Sequence, residues 1–178
     1  MISIVDTSLL DNLLGDKFVC LSSTTLDVTP ESLKSLEINM IVSAQKSEIL
    51  FDCDNKIGFF ENEAGDVFYD YKIKSASLIN RTIFKSKVTT ETSEILKIAI
   101  YGRQFHAEDF ISYPNLFKKI KSVSDTDDMY VFTCKNGETL SLVFHPYFPS
   151  IEVFFKKSTL DAFLIEYKSK YLLHKTIK

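Results

Sequence analysis

The sequence predicts an α+β fold, a mostly antiparallel sheet with peripheral helices that include a packed C-terminal one, in a single domain spanning residues 1–178. Three observations predict it. Short segments between Glu48 and Lys156 alternate apolar with polar residues at a period of two. Asn136-Gly137 separates two such segments, as a hairpin turn would. Leu160, Phe163, Leu164, Tyr167 and Tyr171 recur at helical spacing near the C-terminus. The chain is 178 residues long and 45% apolar, with no Trp. That length suits one ordinary domain, and such a domain buries roughly 68–70% of its unfolded surface without help from a metal or disulfide.

Taken in order, Thr7 is placed to cap a short helix that runs to Leu14 and ends at Gly15. Phe18 to Leu21 reads as a strand. Thr29-Pro30-Glu31-Ser32 carries a capping hydroxyl followed by Pro at the first helical position, which predicts a helix to about Leu36. Ile38 to Ser43 reads as a strand. Ile49–Phe51, Ile57–Phe60 and Val67–Ile73 predict a three-strand meander joined by acidic turns. Strands are expected at Ser77–Lys87 and Ile95–Tyr101, the latter with Leu96, Ile98 and Ile100 on one face opposite Lys97. Ala107–Ile111 and Pro114–Ile120 read as helical.

Met129–Cys134 and Glu138–Phe144 predict a hairpin with Asn136-Gly137 as a two-residue turn of type I′. That register sets Val131 against Leu142 and Thr133 against Leu140. Met129, Val131, Leu140, Leu142 and Phe144 then share one face, and Tyr130, Phe132, Cys134, Ser141 and Val143 the other. Both faces are apolar, so the hairpin should be covered on both sides. His145 to Pro149 reads as a loop and Ile151–Phe155 as a strand. Ser158 and Asp161 have capping-box spacing for the last helix.

The composition excludes disorder, collagen and coiled coil, and no apolar run reaches the ~18–20 residues of a membrane span. Met1–Asp6 has no basic region, and Asp6 and Asp11 interrupt any apolar core, so a secretory signal is not expected. Cys20, Cys53 and Cys134 are odd in number and match neither zinc nor redox spacing, as for small hydrophobes in a reducing cytoplasm. The abundance of Phe, Tyr, Lys and Ile is what an AT-rich coding sequence favours, pointing to a bacterial or phage source.

The net charge of −3 hides an asymmetry. Residues 1–70 carry 13 acidic and 4 basic side chains, a balance of −9, and residues 71–178 carry 11 acidic and 17 basic, a balance of +6. The acids are densest at Glu48, Asp52, Asp54, Glu61, Glu63, Asp66 and Asp70, relieved only by Lys56. The basic excess is dispersed and almost entirely lysine, Arg81 and Arg103 being the only arginines of the chain, so nucleic-acid binding is not expected.

No phosphate loop, dinucleotide fingerprint, nucleophile elbow or zinc-protease helix is present. Asp52, Asp54 and Glu63 fall at positions one, three and twelve of a calcium loop. Lys56 and Ile57, however, occupy positions that need a ligand and a Gly. No metal or other cofactor is expected. His106 with Glu108 and Asp109, and His145 beside its Pro-rich loop, have the residue types for acid–base work, though no spacing ties a nucleophile to them. His174 falls where a cation complements the end of the last helix.

These observations predict a non-enzymatic binding protein of the bacterial cytoplasm. Glu48, Asp52, Asp54, Glu61, Glu63, Asp66 and Asp70 would form its docking surface, with Phe59, Phe60, Phe68, Tyr69 and Tyr71 interleaved as anchors. In its most concrete form it is an immunity protein that neutralises a cognate basic, nuclease-type toxin by covering its active site or an adjacent surface. A small enzyme using His106 or His145, or a subunit of a phage or cellular assembly, is the alternative.

Overall fold

A computed structural model describes residues 7–28, 32–35, 39–53, 71–76, 81–103, 128–145, 150–167 and 171–178. The strands are β1 (Phe18–Ser23), β2 (Leu26–Val28), β3 (Ser32–Ser35), β4 (Met40–Ala44), β5 (Glu48–Cys53) and β6 (Tyr71–Ser75). They continue as β7 (Ser86–Thr89), β8 (Ile95–Arg103), β9 (Met129–Cys134), β10 (Thr139–His145), β11 (Ser150–Phe154) and β12 (Tyr171–Ile177). Among the described residues the helices are α1 (Ser8–Asp11) and α2 (Lys157–Tyr167), and a 3-10 turn spans Arg81–Ile83.

The strands form a five-stranded sheet, β6-β5-β4-β1-β7, and a seven-stranded sheet, β12-β8-β9-β10-β11-β3-β2. Every described pairing is antiparallel. The mostly antiparallel sheet is as expected and the α+β expectation is roughly met, but helices are few and the fold is mostly β. The sheets share one core. Leu21, Val42, Ile49 and Phe51 from the smaller sheet cluster with Ile98, Ile100, Tyr130, Phe132, Leu142, Ile151 and Val153 from the larger. Aromatic rings fasten the two together: Phe18 meets Phe132 edge-on at 5.0 Å, and Phe51 lies 5.5 Å from Tyr130 and 5.3 Å from Phe144.

Each sheet is also covered on its outer face. Leu160 of α2, with Phe163 and Leu164 against it, packs on Met129, Val143, Phe154 and Tyr171. On the smaller sheet Ile41 and Leu50 are buried with Ala76, which follows β6, and Phe84, which precedes β7, and these two cover that face. The β9–β10 hairpin is thus covered on both sides, as its two apolar faces require.

Its register differs from the expected one by a single residue. Phe132 pairs with Leu140 and Tyr130 with Leu142. The loop is Lys135-Asn136-Gly137, three residues long: the Cys134 N–H donates to the Glu138 carbonyl at 2.8 Å and the Gly137 N–H to the Cys134 carbonyl at 2.9 Å. Gly137 has φ +83°, and no described non-glycine residue has a positive φ, so Asn136 does not adopt the type I′ conformation. A slip of one residue moves a whole strand's side chains to the other face. Tyr130, Phe132 and Cys134 therefore join Leu140, Leu142 and Phe144 in the shared core, while Met129 and Val143 lie under α2.

A Cβ added at Gly137 would meet nothing within 4 Å, so only the backbone resists substitution there. Gly137→Ala is expected to cost about 1–2 kcal/mol, the penalty for a left-handed residue with a Cβ. Urea denaturation checks this as a lower midpoint with an unchanged slope; an unmoved midpoint would contradict it.

Three further expectations need correction. The register of β8 on β9 shifts between Ile95 and Lys97, a bulge that leaves Leu96 exposed and turns Ile95, Ile98 and Ile100 inward. Ser32–Ser35 is a strand pairing β11 and β2, so sheet pairing overrides the local helix-start signal. The last helix ends at Tyr167, and Tyr171 and His174 belong to β12. Tyr171 nevertheless reaches the apolar cluster under α2, from a strand.

α1 is shorter than expected, and the Thr7 side chain makes no capping hydrogen bond. Its hydroxyl instead meets the Lys175 ammonium at 2.5 Å, tying the helix to β12. The meander is altered too: β5 pairs directly with β6 and, on its other side, with β4, so no strand separates β5 from β6. The segment expected at Ile57–Phe60 lies outside the described residues, as do Ala107–Ile111 and Pro114–Ile120.

Candidate functional site

Several described strands begin or end together at one end of the two sheets. At that end Cys53 pairs with Tyr71, Tyr101 with Met129, Arg103 with Tyr171, and His145 with Ser150. The cross-sheet contact of Phe51 with Tyr130 and Phe144 aligns this end of the smaller sheet with the same end of the larger. The described stretches therefore end at Cys53, Arg103 and His145, and resume at Tyr71, Asp128 and Ser150, at this one end.

Asp54, Glu61, Glu63, Asp66 and Asp70, together with the aromatics Phe59, Phe60, Phe68 and Tyr69, belong to the first of these connections and lie outside the described residues. His106, Glu108 and Asp109 belong to the second and also lie outside them. His145 ends β10 at the same end.

Glu48 and Asp52 are described, and both are engaged within the chain. They stand four residues apart on β5, about 13 Å along a strand, so Glu48 sits at the opposite end from Asp52. The Asp52 carboxylate is ion-paired with the Lys74 ammonium of β6, the neighbouring strand. The Glu48 carboxylate is ion-paired with Arg81 and accepts a hydrogen bond from the Ser43 hydroxyl at 3.0 Å. In both pairs the carboxylate is the more buried partner, at 19% and 31% exposure against 46% for Lys74 and 63% for Arg81.

Arg81 opens the 3-10 turn that leads to Phe84 on the outer face of the smaller sheet, so Glu48 ties that turn to β5. Glu48→Gln is expected to cost about 0.5–1 kcal/mol, as for a partly exposed pair with one added hydrogen bond. Its effect is expected on stability rather than on docking. Thermal unfolding beside a partner-binding assay checks both halves; a lost partner at unchanged stability would reverse the assignment.

At the same end as Glu48 lies a carboxylate with no sequence signal, Asp16, which is 3% exposed. One oxygen accepts from the Lys17 N–H at 2.8 Å, and the other from the Lys46 N–H and the Ser47 hydroxyl, each at 2.9 Å. Its backbone carbonyl accepts from the Ile95 N–H at 2.9 Å. Asp16 thus joins the start of β1 to the β4–β5 turn of one sheet and to the start of β8 in the other. Burial pushes its carboxyl up, but the three hydrogen bonds and the nearby Lys46 charge outweigh it, holding the group below its ordinary value. Leu9, Asn12, Lys46, Ser47, Glu48, Ile49 and Ser75 line a polar cleft of ≈ 420 Å³ beside it.

Cys134 lies in the shared core, where burial pushes its thiol up and keeps it protonated; the Thr92 hydroxyl opposes this and the Glu138 charge adds to it. Cys20 is half-buried on β1, its sulfur 3.5 Å from the Ser22 hydroxyl. His174 stands half-buried on β12. Among the described residues no three His, Cys, Asp or Glu side chains stand close enough to hold a metal ion, and no helix is long and apolar enough to cross a membrane. Comparison with protein-family models, curated proteins and solved structures finds no match to this chain.

Proposed function

We propose that this protein binds and blocks a basic protein partner, without catalysis of its own, as an immunity protein neutralising a nuclease-type toxin in the bacterial cytoplasm. One observation carries the reading. The connection between Cys53 and Tyr71 carries Asp54, Glu61, Glu63, Asp66 and Asp70 against a lone Lys56, and its two anchors are register partners at one end of a doubly covered pair of sheets. A rigid scaffold that presents charged connections at one end is a common platform for binding.

Concentrated carboxylates there accelerate encounter with a basic surface and repel acidic competitors, which suits an inhibitor that must reach its toxin quickly. Asp52 sits at the edge of this surface and contributes to it, with Lys74 holding its carboxylate. Glu48, the seventh acid of the stretch, serves the fold at the other end. Inhibition is steric and electrostatic: the partner's basic substrate cleft, or the surface beside it, is covered.

Affinity capture of the tagged protein from its native host at moderate salt, read by mass spectrometry, tests the reading. The expected result is one stoichiometric basic partner whose nuclease-type activity falls on addition of the purified protein. Cells that express the neighbouring genes but yield no such partner would contradict it.

A further inference from the structure

We draw no further inference here: the strongest candidate, the apolar groove of ≈ 320 Å³ between α2 and strands β8 and β12 lined by Tyr101, Asp161, Leu164, Ile165 and Tyr171, is an exposed face with nothing in the structure to show what covers it.

Discussion

Phe51→Ala is expected to lower the free energy of unfolding by about 3–5 kcal/mol, the range for deleting a buried aromatic ring. The ring is 1% exposed and touches Tyr130 and Phe144 on the opposite sheet. Its loss removes apolar burial and leaves a cavity at the point where the two sheets meet. The surrounding side chains are anchored in two separately hydrogen-bonded sheets, which limits collapse into that space. A domain with a total stability of ~5–15 kcal/mol loses a large part of it in one substitution. Denaturation in guanidinium chloride measures the effect; a loss below about 1 kcal/mol would mean that the sheets do not pack through this ring.

Asp16→Ala should cost about 3 kcal/mol, because it strands two backbone N–H groups and a hydroxyl that the buried carboxylate satisfies. Asp16→Asn should cost roughly half as much, since one oxygen survives while the amide NH2 confronts a donor. The pH dependence separates charge from shape. The folded carboxyl titrates below its unfolded value of 3.8. Its stabilisation is therefore fully present above that value and is lost as the pH falls through the lower folded one. The stability difference between wild type and Asp16→Asn should hold steady from neutral pH down to about pH 4 and narrow below it. A difference independent of pH would show that the charge contributes nothing.

Much of the β architecture was legible in local patterns. Alternation in Ile151–Phe155, and the two apolar faces of the 129–144 hairpin, identified strands that are central and covered. The errors lie where one residue decides. A third loop residue at Lys135 shifted the hairpin register by one position and exchanged the two faces of β9. Nothing in Asn-Gly distinguishes a two-residue turn from a three-residue loop that places only Gly137 at positive φ. The bulge at Leu96 moved that residue out of the face that Ile98 and Ile100 share as expected and put Ile95 there instead, and bulges leave no mark on hydrophobic period. Thr29-Pro30 carries a genuine helix-start signal, but Ser32–Ser35 gains more by adding a strand beside β11.

The candidate site was legible as charge and not as geometry. Counting acids between Glu48 and Asp70 found the asymmetry, yet it could not show that β5 separates Glu48 from Asp52 by its own length. Nor could it find the counter-ions, since Lys74 and Arg81 lie 22 and 33 residues from the carboxylates they meet. Asp16 was invisible for the same reason: its partners Lys46 and Ser47 are 30 and 31 residues away. Local sequence patterns report on neighbours a few positions apart, whereas these pairs exist only because sheet pairing closes long loops.

The most direct test of the docking proposal is the association rate of the captured partner, measured against ionic strength. The measurement would compare wild type with a variant carrying Asp54→Asn, Glu61→Gln, Glu63→Gln, Asp66→Asn and Asp70→Asn. Asp52 and Glu48 are left intact so that the ion pairs on the sheet survive. The account predicts that the wild-type rate falls steeply as salt rises. The variant should associate at least about tenfold more slowly at low salt, with a flattened salt dependence. Superimposable curves for the two proteins would contradict the account and place the partner's docking surface elsewhere on the molecule.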